Sequence, residues 1–425
     1  MDGRGAVDTS ERHALDLDAA DPLATYRTRF RLPVDAAGRP LAYLAGNSLG
    51  AQPLAARAAV MGVLERWGER AVEGWFDGDD GWLDMERSYA EATARIVGAR
   101  PSEVTTANTL SVNLHLLLGA FYRPVGRRTA ILIDAPTFPS DRYVVDAQLR
   151  HHGLDVDRDL VVVRPRDGEA TVRPSDLADA IHEHRDRLAV ALLASVNYAT
   201  GQALDIASLT GAVHEAGGTA IWDLAHAAGN VKLDLNEAGV DAATWCTYKY
   251  LNAGPGAVAQ LYVHERHHRG TGTDARPLVG WWGNDPATRF QMAESFAAGP
   301  GADGFRISTP PLLSLVPIGV SLAMFDEIGM AGLRVRSVAL TGYLEALLDA
   351  LVPDVTLLTP RDPAARGAQL SLRVSGAAAR HEALAPFGVV GDVRQPDIVR
   401  LAPAPLYSSY HDVWRAATAM AATAG

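Results

Sequence analysis

Residues 245–256 read WCTYKYLNAGPG, and this segment joins a short apolar run to a lysine and a flexible turn. The apolar run predicts a buried strand that delivers Lys249 to its end, and the Asn-Ala-Gly-Pro-Gly run is typical of a turn. A lysine held between two tyrosines is partly removed from water, which favours its uncharged, nucleophilic form. Such an amine can form a Schiff base. The alternative is a surface lysine that passes over Tyr248 and Tyr250.

Lysine is almost absent from the rest of the chain. Of the 39 Lys and Arg residues, only Lys232 and Lys249 are lysines. Codon usage in a GC-rich genome explains the excess of arginine, but arginine cannot replace a lysine whose amine must lose its proton. Because Lys232 lies in a polar stretch, we expect it at the surface, and Lys249 is the candidate nucleophile.

A second apolar run ends in an acid 26 residues before Lys249. Residues 221–229 read IWDLAHAAG, so Asp223 is expected at the carboxyl end of a strand, where α/β sheets collect ligands, with His226 in the following loop. The spacing leaves room for one connection and one strand, which predicts that Asp223 and Lys249 project from neighbouring strand ends. A carboxylate there would keep the ring nitrogen of pyridoxal phosphate protonated. The alternative for Asp223 alone is a turn cap.

Two loops that precede helices could also bind a ligand. Residues 105–111 read TTANTLS and lead into a strongly apolar helix, whose free N–H groups and positive dipole end suit a phosphate; an ordinary N-cap is the alternative. Residues 135–141 read APTFPSD. Here Phe138 could stack on a planar ring and Asp141 could orient His226 or a cofactor, although a plain loop with a cap would have the same sequence.

Apolar runs alternate with amphipathic stretches through the middle of the chain, which predicts an α/β fold with a mostly parallel central sheet flanked by helices. The predicted strands are 129–134, 160–163, 188–195, 219–223, 243–247 and 258–263, with shorter ones at 355–358 and 370–374. The predicted helices are 54–67, 85–96, 111–121, 141–149, 174–184, 206–216 and 313–351. We expect a large domain over 50–309, a smaller α+β domain over 310–425, and residues 1–49 packed against the smaller domain.

Composition excludes several classes of protein. The 425 residues are 48% hydrophobic and 21% charged with a formal net charge of −11, which is typical of a large globular protein and argues against nucleic acid or an anionic membrane as the main partner. Cys246 is the only cysteine, and the adjacent histidine pairs lack metal-site spacing, so we expect no disulfide and no metal. The N-terminal residues lack an apolar signal and no apolar run approaches a membrane span, so we expect a soluble cytoplasmic protein.

Taken together, these segments resemble kynureninase, a family of fold-type I pyridoxal phosphate hydrolases. The resemblance runs from about residue 44 to residue 414 and rests on eight motifs in order: GNSLG at 46–50, NTLSVNLHL at 108–116, FPSD at 138–141, DLAH at 223–226, YKYLN at 248–252, GWWG at 280–283, FRISTPP at 305–311, and RLAP with PLY over 400–407. Aminotransferases and cysteine desulfurases also use an Asp and a Lys to bind the cofactor, but they lack this set of eight motifs. A desulfurase also needs a mobile cysteine, whereas Cys246 is expected inside a strand.

The resemblance implies pyridoxal phosphate as the cofactor, with Lys249 as its covalent partner and Asp223 beside its ring nitrogen. It implies that Tyr248 contacts the cofactor phosphate and also acts as a proton donor. It implies further cofactor contacts from Leu110, Ser111, Phe138, Asp141, His226, Trp281 and Thr309. In the family the last two come from a second subunit, so the resemblance also implies a homodimer with shared active sites. Arg400 would bind the α-carboxylate of the substrate bidentately, and Ser48 is assigned to the same substrate site.

The implied reaction is hydrolysis of L-kynurenine to anthranilate and L-alanine, a step of tryptophan catabolism and of NAD biosynthesis. Some animal relatives have Asn where this chain has Thr309, and a His upstream that is absent between Leu64 and Asn113, which favours unsubstituted kynurenine over 3-hydroxykynurenine. The alternatives are a ring-modified kynurenine from a biosynthetic pathway, an aminotransferase or β-lyase of the same fold, and a non-catalytic binding protein.

Overall fold

Helices and strands alternate along most of the chain. The computed structural model describes residues 7–78, 81–268 and 275–424. Its strands are β1 (Phe30–Arg31), β2 (Ala42–Tyr43), β3 (Gln52–Pro53), β4 (Val104–Thr106), β5 (Ala130–Asp134), β6 (Leu160–Val163), β7 (Leu188–Ala194), β8 (Thr219–Asp223), β9 (Ala242–Trp245), β10 (Gln260–Val263), β11 (Thr356–Leu357), β12 (Leu370–Arg373), β13 (Val389–Val390), β14 (Asp392–Arg394) and β15 (Ile398–Leu401). Its helices are α1 (Glu11–Ala20), α2 (Leu54–Arg70), α3 (Met85–Ser88), α4 (Ala90–Val97), α5 (Leu110–Phe121), α6 (Pro139–His151), α7 (Val156–Asp159), α8 (Pro174–Glu183), α9 (Ile206–Glu215), α10 (Leu312–Leu351), α11 (Ala377–Glu382) and α12 (Tyr410–Ala422).

The central sheet has seven strands in the order β4-β10-β9-β8-β7-β5-β6. Strands β9, β8, β7, β5 and β6 pair in parallel, and β10 is antiparallel to both of its neighbours. The sequence explains this placement, since β5 and β7 are continuous apolar runs that helices can cover on both faces. The predicted α/β fold with a mostly parallel sheet is confirmed, including the neighbouring positions of β8 and β9.

Two predicted elements differ from those observed, one in its end and one in its continuity. The strand predicted over 243–247 stops at Trp245, because the last paired residue of β8 faces Thr244 and the pairing with β10 ends at Trp245 itself. Cys246 therefore lies just beyond the strand, not inside it. The helix predicted over 85–96 divides into α3 and α4 after Ser88, whose hydroxyl donates to the Met85 carbonyl at 2.7 Å and competes with the helical bond pattern.

Alternate residues of the central strands pack on opposite faces of the sheet. Ile131 and Ile133 of β5 lie in one cluster with Leu114 and Leu118 of α5 and Val145 of α6. The residues that alternate with them belong to a larger cluster on the other face, which includes members of α4, α8, α9 and the first half of α10. Covering both faces leaves the carboxyl ends of the parallel strands as the edge at which polar side chains meet.

A second, four-stranded antiparallel sheet has the order β11-β12-β15-β14. Its core includes the second half of α10, all of whose buried apolar residues from Leu340 onward belong to it, together with α12. Ala14, Ala42 and Leu44 of the N-terminal segment pack into this core, and β2 pairs in parallel with β13. We propose on this packing that residues 7–49 belong with the smaller domain. The boundary near residue 310 stays a prediction, because α10 contributes to both cores.

Helix α10 is 40 residues long and contains a break in its backbone at Gly329. By length and composition it is the one helix among the described residues that could cross a membrane, with a mean hydropathy of 1.6 over its most apolar window. A core helix passes the same test, and Leu315, Leu322 and Phe325 of α10 are buried against the central sheet.

Candidate active site

Lys249 lies in the turn that follows β9, at the carboxyl edge of the central sheet. Its side chain is buried, and its amine lies 5.8 Å from the ring centroid of Phe138 and 6.0 Å from that of Tyr248. The lysine is buried beside two aromatic rings, but these rings are those of Tyr248 and Phe138, whereas the sequence predicted Tyr248 and Tyr250. Burial also raises the pKa of Tyr248, and the neighbouring Cys246 thiol adds to the rise, so the phenol stays protonated.

Three carboxyl groups lie close enough to affect one another, and two of them, Asp223 and Asp141, also interact with the charge of this lysine. Asp223 ends β8, Asp134 ends β5, and Asp141 lies in the first turn of α6; all three are buried. Burial raises the pKa of Asp223, against the effects of the Lys249 charge and a hydrogen bond with Asp141. Burial and then the charge of Asp223 raise the pKa of Asp141 well above its ordinary value. Asp141 can therefore hold a proton while Asp223 serves as the carboxylate.

His226 lies in the loop after β8 and is also buried. Burial, followed by the positive charges of Lys249, Arg400 and Arg394, lowers its pKa well below the ordinary value, so the imidazole is neutral. Among the described residues, the buried atoms His226 Nδ1 and Asp141 Oδ1 have no hydrogen-bond partner. Because a buried polar atom without a partner is costly, these two atoms indicate that a bound polar group completes the site. The residues present fit pyridoxal phosphate on this ground.

The start of α5 has the features that suit an anion. Thr109 precedes the helix with an extended backbone, and its side chain makes no capping hydrogen bond, so the first N–H groups remain available. The hydroxyls of Ser111 and Ser140 lie 2.6 Å apart, which brings the starts of α5 and α6 together. Leu110, the first residue of α5, is half-buried.

The GNSLG motif at 46–50 packs closely against the turn that contains Lys249, here called the lysine turn, and this packing explains the last glycine of the motif. The Gly50 amide donates to the Tyr248 carbonyl at 2.8 Å. A Cβ at Gly50 would lie 2.4 Å from the Lys249 carbonyl oxygen and 2.3 Å from Oδ1 of Asn252. Glycine is therefore required at this position for the N-terminal segment to approach the lysine turn.

Arg400 and Ser48 are brought together, but Arg400 already has a carboxylate partner. The guanidinium is fully buried; Nε donates to Asp392 Oδ1 at 2.5 Å and Nη2 donates to the other oxygen of that carboxylate. Nη2 also donates to the Ser48 hydroxyl at 3.1 Å, and Nη1 donates to the Tyr198 carbonyl at 2.6 Å. Because four of its N–H bonds are used, the bidentate contact expected for a substrate carboxylate is occupied by Asp392.

Sequence reasoning missed Asp392, Arg394 and Tyr198. The ring of Tyr198 packs edge-on against Phe138 at 5.2 Å, and its loop is held by Asn197, which donates to Asp134. The sequence could have indicated Asp392 and Arg394, because an acid and an arginine two residues apart on a strand project from the same face. Their proximity to Arg400 depends on the pairing of β14 with β15, which the sequence alone does not disclose.

Trp281 and Thr309 are not joined to this group by the contacts of the described residues. The Trp281 ring packs edge-on against Trp282 and Phe290 and is 48% exposed. Thr309 is exposed and lines an apolar hollow of about 630 Å³ with Trp67 and other residues. Their predicted roles as cofactor contacts remain predictions.

Comparison with protein families and relatives gives a consistent result. Residues 333–420 match the family model described as the kynureninase C-terminal domain. A protein named kynureninase from Xanthomonas euvesicatoria pv. vesicatoria is 49% identical over 409 residues, which cover 95% of this chain and 96% of the relative. Another of that name from Myxococcus xanthus is 48% identical over 408 residues, which cover 96% and 95% of the two chains.

Solved structures at lower identity share the fold. The cysteine desulfurase CsdA from Escherichia coli has a TM-score of 0.77 at 16% identity, covering 95% of this chain and 98% of its own. A mutant of C-DES with glycine covalently linked to its PLP cofactor has a TM-score of 0.76 at 18% identity, covering 90% and 96%. At these identities the likeness confirms the predicted fold-type I architecture alone.

Proposed function

The chain belongs to the kynureninase family, and from this premise we propose that it uses pyridoxal phosphate to hydrolyse L-kynurenine to anthranilate and L-alanine. The observation that carries the proposal is that Asp223 ends β8 while Lys249 lies in the turn that follows the adjacent strand β9. The charge of Lys249 acts on Asp141 and His226, whose unpartnered atoms belong to the same site. We propose the same protein to be a soluble cytoplasmic enzyme of tryptophan catabolism and NAD biosynthesis.

The residues that would hold pyridoxal phosphate surround one edge of the sheet. Lys249 would bind it covalently, Asp223 would face its ring nitrogen, and Phe138 would cover its ring. Leu110 and Ser111 at the start of α5, with Tyr248, would hold the phosphate. When bound, the cofactor supplies an electron sink for the bond that breaks.

The protein residues would then hold and transfer the protons of the reaction. The Lys249 amine would take a proton from the substrate's Cα, and its burial beside two aromatic rings supports this role. The Tyr248 hydroxyl stays protonated because burial raises its pKa, so it can donate a proton to the alanine fragment after the Cβ–Cγ bond breaks. The raised pKa of Asp141 supports a role in which Asp141 would hold a proton and Asp223 would be the carboxylate that faces the ring nitrogen.

Assay of the purified protein with pyridoxal phosphate tests this function. We expect L-kynurenine to yield anthranilate and L-alanine in equal amounts, detected by fluorescence and chromatography. Lys249→Ala should abolish turnover and the bound-cofactor absorbance, whereas Lys232→Ala, at an exposed lysine paired with Asp234, should change neither. Keto-acid formation that depends on an added acceptor would instead indicate an aminotransferase. Assays with 3-hydroxykynurenine and ring-modified analogues, run side by side, decide among the kynurenines.

We propose that the active enzyme is a homodimer in which Trp281 and Thr309 complete the cofactor site of a second copy. Support comes from large apolar side chains that are exposed in the segments containing Trp281 and in α2. Their exposed fractions are 63% for Trp67, 48% for Trp281 and for Phe290, and 75% for Met292. Apolar patches of this kind mark interfaces. Trp67→Glu should shift a dimer toward monomer in sedimentation, whereas Val335→Glu, equally apolar and 73% exposed on α10, should not. A wild-type protein that sediments as a monomer would contradict the proposal.

A further inference from the structure

We propose that Glu86 is a positioning residue that fixes Trp281 and Thr309 for the cofactor site of a second copy of the chain. Trp281 belongs to GWWG at 280–283 and Thr309 to FRISTPP at 305–311, here called the paired segments. This inference rests on the proposed homodimer, and it names the group in each copy on which the partner's site depends.

One oxygen of Glu86 joins the paired segments. Oε1 accepts a hydrogen bond from the indole Nε1 of Trp282 at 2.7 Å and another from Nη1 of Arg306. The side chains of Glu86 and Arg306 are fully buried, so this charged contact is shielded from water. Trp282 directly follows Trp281, and Arg306 lies three residues before Thr309. A single buried carboxylate therefore holds both segments at once.

The backbones of the paired segments lie too close together for side chains between them. The Trp282 amide donates to the Ile307 carbonyl at 3.0 Å. A Cβ at Gly280 would lie 2.5 Å from the Ile307 carbonyl oxygen, and a Cβ at Gly283 would lie 2.3 Å from the Arg306 carbonyl oxygen. Both distances are shorter than any real Cβ contact, so the two segments pack as one unit.

The charges around Arg306 explain why a carboxylate is needed at this position. Asp303 lies 3.0 Å from Nη2 of Arg306, but the same oxygen of Asp303 also accepts from Arg87 at 2.7 Å. Arg289 is buried in the same cluster and adds a third positive charge. Since a buried charge without a counterion is costly, the loss of the Glu86 charge should make Arg306 and its segment shift.

Glu86 has no direct contact with the group around its own Lys249. Its hydrogen bonds within the described part of the chain go to Trp282 and Arg306. The ring of Trp281, by contrast, is 48% exposed and can reach another molecule. An effect of Glu86 on cofactor binding is therefore expected in the second copy.

Titration of the cofactor-free protein with pyridoxal phosphate, followed by the visible absorbance of the covalently bound cofactor, measures this effect. Glu86→Gln keeps the shape of the side chain and removes its charge, so it should weaken cofactor binding about tenfold or more. Trp282→Phe removes one hydrogen bond and keeps the ion pair of Glu86 with Arg306, so it should weaken binding less. If Glu86→Gln does not fold, Trp282→Phe takes its place in the mixtures that follow.

Mixed dimers, isolated with two different affinity tags, show in which copy Glu86 acts. In a mixed dimer of Glu86→Gln and Lys249→Ala chains, the remaining Lys249 receives intact paired segments from its partner, so this site should bind the cofactor as tightly as wild type. A wild-type chain paired with a chain that carries both substitutions should instead have one weak site. If Glu86 acted within its own copy, the two mixed dimers would exchange results, which would overturn the inference.

Glu345→Gln is the matched control. Glu345 is a buried carboxylate on α10 that pairs with Arg361 and Arg366, so its loss should lower the free energy of unfolding and leave cofactor affinity unchanged. Wild-type cofactor affinity in both Glu86→Gln and Trp282→Phe would also overturn the inference. Restored binding in the first mixed dimer without anthranilate release from kynurenine would support the inference and contradict the proposed hydrolysis. A wild type that sediments as a monomer would contradict the inference together with the homodimer.

Discussion

At the scale of single residues, Gly50 shows how a small motif sets the position of a reactive group. Its Cα lies so close to the lysine turn that a Cβ would overlap the Lys249 carbonyl oxygen and the Asn252 side chain and backbone. We expect Gly50→Ala to lower the free energy of unfolding by about 1–3 kcal/mol and to weaken cofactor binding, because the turn must move. Chemical denaturation and titration with pyridoxal phosphate measure the two effects.

Gly62 in α2 provides the control for that substitution. A Cβ there meets nothing within 4 Å, so Gly62→Ala should stabilise the protein by up to about 1 kcal/mol without changing cofactor affinity. If Gly50→Ala bound the cofactor as tightly as wild type, the packing explanation of the GNSLG motif would be wrong.

Also at the residue scale, Asp134 predicts a pH dependence of stability. Burial raises its pKa from 3.8 to about 6, although the Ala194 amide and Asn197 donate to it. An acid whose pKa is raised in the folded state contributes stability that is complete below its unfolded pKa and is lost as pH rises through its folded pKa. Relative to Asp134→Asn, wild type should therefore lose about 2 kcal/mol of stability between pH 4 and pH 7. If the free energy of unfolding changed equally with pH in wild type and in Asp134→Asn, the raised pKa would not belong to Asp134.

At the scale of secondary-structure elements, the break in α10 depends on one glycine. Gly329 has φ +75° and ψ 152°, a backbone conformation that essentially only glycine adopts without strain, and a Cβ there would contact nothing. Gly329→Ala should therefore cost about 1–3 kcal/mol through backbone strain alone, measured by denaturant unfolding. Gly342, exposed in the same helix and equally free of neighbours, is the control, and Gly342→Ala should stabilise by up to about 1 kcal/mol. Equal effects at both positions would show that the break is not imposed by Gly329.

At the scale of the whole molecule, the sequence predicts where single strands lie but not which strands pair with one another. Apolar runs and turn residues were sufficient for the strands that end at Asp223 and before Lys249, since both signals are contained in short segments. The partner of Arg400 could not be predicted, because it depends on β14 pairing with β15. The shortened end of β9 has the same origin, since a strand ends where its neighbours stop pairing.

Gln369 joins the N-terminal segment, the Tyr198 loop and the second sheet. Replacing it therefore measures how strongly these three parts stabilise one another. Its side-chain amide, buried beside β12, donates to the Tyr198 carbonyl at 2.9 Å and to Ser371 at 2.8 Å, and it bonds the Asn47 amide at 2.9 Å. Gln369→Leu keeps the volume but leaves these buried groups short of partners, so the free energy of unfolding should fall by about 2–4 kcal/mol. Gln148→Leu, half-buried on α6 with bonds of 3.3 and 3.4 Å to His115, should change it by no more than about 0.5 kcal/mol. Similar values for the two variants in urea unfolding would show that the N-terminal segment, the Tyr198 loop and the second sheet are held together by apolar packing instead.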